Sequence, residues 1–252
     1  MENVSVALAL SDYLPVLLYL AGALLIVRLL RGRDQKRLAT MFGFGAALAG
    51  LSGVLKATSK LLDAAAGRPL TETGFLYDHM FPMMAVGFLA TATATVMAAR
   101  RYSGRDPAGG RTPFSAAASW AFPFAAGLFL GLAFGLVLAA DYAAPGLRPH
   151  LADVKRATMI AMIVLQLATL GILSWSAFRE GAAAAGVLAG LSVVFMLAMG
   201  ALGSPGMQAR FADKLLMNLI DQAVNLAAQG CFLGAAWLLW KRETAARTPV
   251  KR

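Results

Sequence analysis

Seven stretches of the chain are rich in apolar residues and nearly free of charge. They cover about 12–31, 38–62, 77–99, 114–140, 155–178, 182–202 and 215–240. A helix needs about 20 such residues to cross a hydrocarbon core, and each stretch qualifies or nearly so. Helix breakers stand between them, at Gly104 to Pro113, Pro145 to Pro149 and Gly203 to Gly206. Only Arg179, Glu180 and their neighbours separate the fifth run from the sixth, which predicts a tight antiparallel hairpin. The predicted fold is an all-α integral membrane protein, a seven-transmembrane-helix bundle. Short connections leave no room for a soluble domain, so residues 1–252 are expected to form one membrane domain.

Charge placement sets the expected orientation. Arg28, Arg31, Arg33, Lys36 and Arg37 follow the first run. Arg100, Arg101, Arg105 and Arg111 follow the third, and Lys241, Arg242, Arg247, Lys251 and Arg252 follow the seventh. The alternate connections mix both signs, with Asp63, Arg68, Glu72 and Asp78, then Asp141, Arg148, Asp153, Lys155 and Arg156, then Arg210, Asp213 and Lys214, and read as balanced or acidic beside the arginine-rich ones. Lys and Arg gather on the cytoplasmic side, so the pattern predicts an outside N-terminus and a cytoplasmic C-terminus. It works only with an odd number of spans. The first run has Glu2 and Asp12 before it and no basic residue. It therefore reads as a retained first helix, not as a signal peptide.

Composition agrees with a membrane setting. The chain is 59% hydrophobic and 14% charged, against about 45–50% and about 25% in soluble domains. The expected location is the plasma (cytoplasmic) membrane, with membrane lipid as the surrounding partner. The net charge of +10 sits beside the spans, so no nucleic-acid partner is expected. Cys231 is the only cysteine and excludes an intramolecular disulfide. Two histidines, His79 and His150, are too few for a zinc or bis-histidine haem site, His150 being expected in a loop. No metal and no cofactor are expected. Asp221 and Asn225 have the spacing of the helix-seven Asp and Schiff-base Lys of retinal proteins, but Asn225 carries no amine.

Ionisable groups inside a membrane are costly and mark candidate sites. Lys56 and Lys60 share a face in the outer half of the second run. Asn218, Asp221, Gln222, Asn225 and Gln229 form one polar stripe down the seventh. At 1.5 Å per residue, Lys56 and Asp221 both fall roughly 10 Å outside the midplane, and we expect them to be neighbours or to face one cavity. Asp78 and His79 open the third run on the same side. Gln166 in the fifth run is level with Gln229, and the two glutamines could floor the pocket. The expected ligand-binding set is therefore Lys56, Asp78, His79, Gln166, Asp221, Gln222, Asn225 and Gln229, with no catalytic residue assigned.

Small residues predict packing faces. Gly127, Gly131 and Gly135 in the fourth run offer a surface within the bundle or for a homo-oligomer. Gly43, Ala46, Gly50 and Gly53 form a similar face in the second. A repeat is also suggested. Leu48 to Ser52 reads LAGLS and recurs as Leu188 to Ser192, and Asp78–Gly87 matches Asp221–Gly230 in spacing. Runs one to three and five to seven would then be parallel triplets, an arrangement used by transporters. These features favour a transporter or channel-like protein for a small polar or charged solute, with an outward-facing cavity between runs two, three and seven. Lys56 and Asp221 would bind solute charge or exchange a proton. A small-ligand receptor and an intramembrane lipid-modifying enzyme are the alternatives, and an enzyme is the less favoured class.

Overall fold

Proline decides where the first helix breaks. Pro15 has no N–H to bond the carbonyl of Ser11. Accordingly a short α1 (Val6–Ser11) ends there, and α2 (Tyr13–Gly32) begins after a turn at Asp12. The computed structural model describes residues 6–67, 80–103, 148–202, 207, 210 and 214–247. Its other helices are α3 (Lys36–Ala66), α4 (Met80–Ser103), α5 (Arg148–Arg179), α6 (Ala183–Leu202) and α7 (Lys214–Arg247). There is no strand among the described residues. Among the described residues six helices are long and apolar enough to cross a membrane, so the chain is an integral membrane protein. Expected run 114–140, with Gly127, Gly131 and Gly135, lies outside the described residues, as do Asp78 and His79. One expectation is corrected: His150 is helical, because Pro149 is tolerated in the first turn of α5.

The six spans form a ring. Helix α2 packs on α3, α3 on α4, α4 on α5, α5 on α6, α6 on α7, and α7 returns to α2. Small residues set the closest approaches. A Cβ built on Gly45 would stand 2.5 Å from the Gly87 carbonyl, and one on Gly87 would stand 2.6 Å from the Gly45 carbonyl. Only glycine at both sites lets α3 and α4 backbones meet this closely. The Gly43, Gly50, Gly53 face instead receives Val27, Leu20 and Val16 of α2. Lipid gives no hydrophobic drive between helices, so such fitted contacts supply much of the association energy. Leu17, Leu24, Phe44, Val164, Val194 and Leu197 are exposed, as a lipid-facing surface requires. Arg179 covers the Trp175 ring and Lys241 the Trp237 ring, which suits aromatic anchors at one membrane interface.

Contact pairs fix the helix directions. Tyr13 meets Thr58 and Val27 meets Gly43, so α2 and α3 are antiparallel. Gly45 and Ala49 both meet Gly87, with Gly45 also on Ala90 and Thr91, so α4 runs opposite to α3. Helix α5 runs parallel to α4: Ala85 and Leu89 cluster with Ala161, Met162 and Leu165, while Thr95 and Ala98 lie level with Leu173 and Ser176. Ser174 meets Gly186 and Gln166 meets Met196, making α6 antiparallel to α5. Leu188 meets Gly234 and Ser192 meets Ala228, making α7 antiparallel to α6. Gly22 meets Phe232 and Gly32 meets Arg247, so α7 and α2 are parallel. Helices α2, α4, α5 and α7 thus point to one end, and α3 and α6 to the other.

The ring is two triplets, α2–α4 and α5–α7, in the same orientation. Their first turns match bond for bond. Arg33, Asp34, Gln35 and Ala39 donate backbone N–H to Leu29, Arg31, Leu30 and Gln35. Glu180, Gly181, Ala182 and Gly186 donate to Ser176, Phe178, Ala177 and Ala182, each 147 residues further on. Asp34 and Gly181 both take a positive φ, 56° and 70°. Val27 against Gly43 recurs as Ser174 against Gly190 at the same offset. The LAGLS repeat has an offset of 140. It therefore lies seven residues, about two helical turns, from structural register. The triplets are present, but that motif does not align them. Two turns return a motif to nearly the same face, so the face is kept while the depth changes.

Candidate functional site

A cavity of about 60 Å³ runs inside the ring toward the end where α2, α4, α5 and α7 finish. Helix α2 lines it with Ile26, Leu29, Leu30 and Arg33. Helix α5 lines it with Leu173, Ser176, Ala177 and Glu180. These are the same four positions at the 147-residue offset, so the cavity lies on the pseudo-twofold axis between the triplets. Phe42, Thr169 and Phe232 line both this cavity and a smaller chamber of about 10 Å³ nearer mid-depth.

The small chamber gathers polar groups among rings. Tyr19 of α2, Gln166 of α5 and Gln229 of α7 line it with Phe42, Phe88, Phe232 and two threonines. Tyr19 meets Phe88 edge-on and Phe232 stacked, both at 5.8 Å. Its hydroxyl oxygen is buried and has no hydrogen-bond partner among the described residues. Gln166 and Gln229 are buried, and each donates Nε2–H to the Met196 sulfur, at 3.7 and 3.9 Å. A thioether is a weak acceptor. The polar capacity of this chamber is thus poorly used within the protein.

Arg33 lines the larger cavity at the end where α2 and α5 finish. Its guanidinium grips both Glu180 oxygens, Nη1 to Oε1 at 2.8 Å and Nη2 to Oε2 at 2.6 Å, and donates Nε–H to Glu243 at 2.9 Å. Arg247 donates to Glu243 at 2.9 Å and to the Gly32 carbonyl. Burial opposes the Arg33 charge, but the hydrogen bonds and charges of Glu180 and Glu243 outweigh it, so its pKa stands above the ordinary value. Because α2 and α5 are opposite members of the ring, the Arg33–Glu180 pair spans the axis. Tyr19, Gln166 and Gln229 each stand 14 residues before Arg33, Glu180 and Glu243. That is close to four turns, about 21 Å, on the same side of each helix.

The opposite half carries the sequence-predicted charges. Lys60 pairs with Asp12 at 2.7 Å, and Tyr13 bonds Thr58 at 2.8 Å. Lys56 and Asp221 are half-buried. Lys56 feels the charges of Lys60, Asp12 and Asp221, but no ion pair joins Lys56 to Asp221 among the described residues. Along α7, Asn218 is exposed, Asp221, Gln222 and Asn225 are half-buried, and Gln229 is buried. The polar stripe therefore sinks inward toward the chamber. Both cavities lie nearer the Arg33 end than Lys60 does, not between α3, α4 and α7 at the Lys60 end.

Sequence reasoning missed Tyr19, Arg33, Glu180 and Glu243. The arginine and glutamates were counted only as loop or tail charge. The shared 14-residue spacing from a mid-span polar residue was the available signal. No cluster able to hold a metal ion exists among the described residues. Comparison of the chain with protein-family models, curated proteins and solved structures finds no match.

Proposed function

We propose that the protein is a transporter or channel-like protein for a small polar or charged solute, passing along the axis of the ring. The observation that carries this is the pair of neighbouring cavities inside the ring, which share Phe42, Thr169 and Phe232 as lining, with the Arg33–Glu180 ion pair lining the larger one. Parallel repeats around an axis along the membrane normal, with a site near mid-depth, are a transporter plan. Lys56, Asp78, His79, Asp221, Gln222 and Asn225 would form the outer approach, and Gln166 and Gln229 the central site.

A seven-span protein with an outside N-terminus in the plasma membrane is part of the same proposal. Helices α4 and α5 both end at the Arg33 end, which is compatible with one further span in the sequence between them. The apolar run 114–140 falls in that connection. The Arg33 end is also the arginine-rich end, which suits the cytoplasm.

Solute entry into reconstituted liposomes tests the proposal. Protein-dependent entry is expected, with Thr169→Leu, which adds bulk to the lining the cavities share, reducing it at least tenfold. Lys56→Ala and Asp221→Asn are expected to alter it. Ligand binding without flux would instead favour a receptor.

A further inference from the structure

We infer that the central chamber accepts an uncharged, hydrogen-bonding solute of a few heavy atoms, with Tyr19 as a ligand-binding residue. This rests on the transport proposal and narrows "polar or charged" to one class.

The charge inventory supports the choice. Ionisable groups stop short of the chamber on every span. Lys56 of α3 is six residues beyond Gly50, which meets Leu20 beside Tyr19, and Arg28 of α2 is nine beyond Tyr19. Spans α4 to α7 carry no Asp, Glu, Lys, Arg or His over 80–99, 157–178, 183–202 and 222–240, and neither does run 114–140. An ion held in the chamber would be buried with no countercharge, at a cost of several kcal/mol. Crossing would then be slow by orders of magnitude.

A neutral solute meets a different balance. The Tyr19 hydroxyl is buried without a partner among the described residues, and an unmet buried donor is itself unfavourable. Gln166 and Gln229 spend their N–H groups on a thioether. A hydroxyl or amide solute supplies better acceptors for three donors, and the two carboxamide oxygens can accept in return. Phe42, Phe88 and Phe232 complete an apolar wall for the carbon part. A chamber of about 10 Å³ holds about one water, so a solute seats only when the ring widens. That favours the smallest polar solutes.

The test uses full-length protein in liposomes, with entry of urea and glycerol read by light scattering and entry of sodium lactate and choline chloride read in parallel. We expect urea or glycerol to enter at least fivefold faster than in protein-free liposomes, and lactate and choline at the protein-free rate. Tyr19→Phe, which keeps the ring, should cut entry of the uncharged solute about tenfold while the protein stays monodisperse. Gln229→Leu should act in the same direction. Entry of lactate or choline at the glycerol rate, or a Tyr19→Phe variant equal to wild type, overturns this inference and leaves transport standing. No protein-dependent entry of any of the four overturns both.

Discussion

The two ends of the ring use similar charges for different purposes. At one end Arg33 of the α2–α3 turn binds Glu180 of the α5–α6 turn with both amino groups and Glu243 of α7 with Nε. These partners come from opposite and adjacent walls, so the network ties the ring across its axis. At the other end Asp12 binds Lys60. That pair joins the α1–α2 corner to neighbouring α3, and no ion pair joins Lys56 to Asp221 among the described residues. A bond between neighbours staples a wall, whereas a bond across the axis closes a passage. Both residues of the cross-axis bond line the cavity, which makes the bond the candidate gate under the transport proposal.

The comparison predicts unequal costs. Arg33→Ala has the largest, because it strands Glu180, whose side chain is 9% exposed, and leaves Glu243 with Arg247 alone. Removing one partner of a buried pair costs about 3–5 kcal/mol; partial exposure brings this to roughly 2–4 kcal/mol, read as a lower Tm in detergent. Glu180→Gln keeps an acceptor and the shape, so about 1–2 kcal/mol is expected from chemical denaturation. Lys60→Ala breaks a pair that is 36% exposed on the lysine side, and should cost under about 1 kcal/mol. Asp221→Asn loses no ion pair within the described residues and should shift stability by less than about 0.5 kcal/mol, while altering solute entry. If Lys60→Ala costs as much as Arg33→Ala, the two ends are not different in the way described.

Legibility in the sequence follows length scale. Spans were readable because lipid demands about 20 apolar residues in a row, and local composition carries that. Charge in the connections was readable as topology, and the parallel directions of α2, α4, α5 and α7 are compatible with it. Gln166 and Gln229 could be singled out because amides are conspicuous among leucines and alanines. Arg33 and Glu180 could not, since a turn charge looks the same whether it meets water or another turn 147 residues away. Tyr19 hid for another reason: a tyrosine in an apolar run reads as packing, and only the missing partner of its hydroxyl sets it apart. The LAGLS repeat misled in register because helices of small residues repeat such faces every two turns.

The most direct test of the closed axis is thiol labelling of Ser176→Cys in a Cys231→Ser background, with a membrane-impermeant maleimide applied from the Arg33 side. Ser176 lines the cavity behind Arg33 and Glu180. The account predicts slow labelling with the ion pairs intact, and labelling at least tenfold faster once Arg33→Ala removes them. Equal labelling rates with and without Arg33 would contradict it.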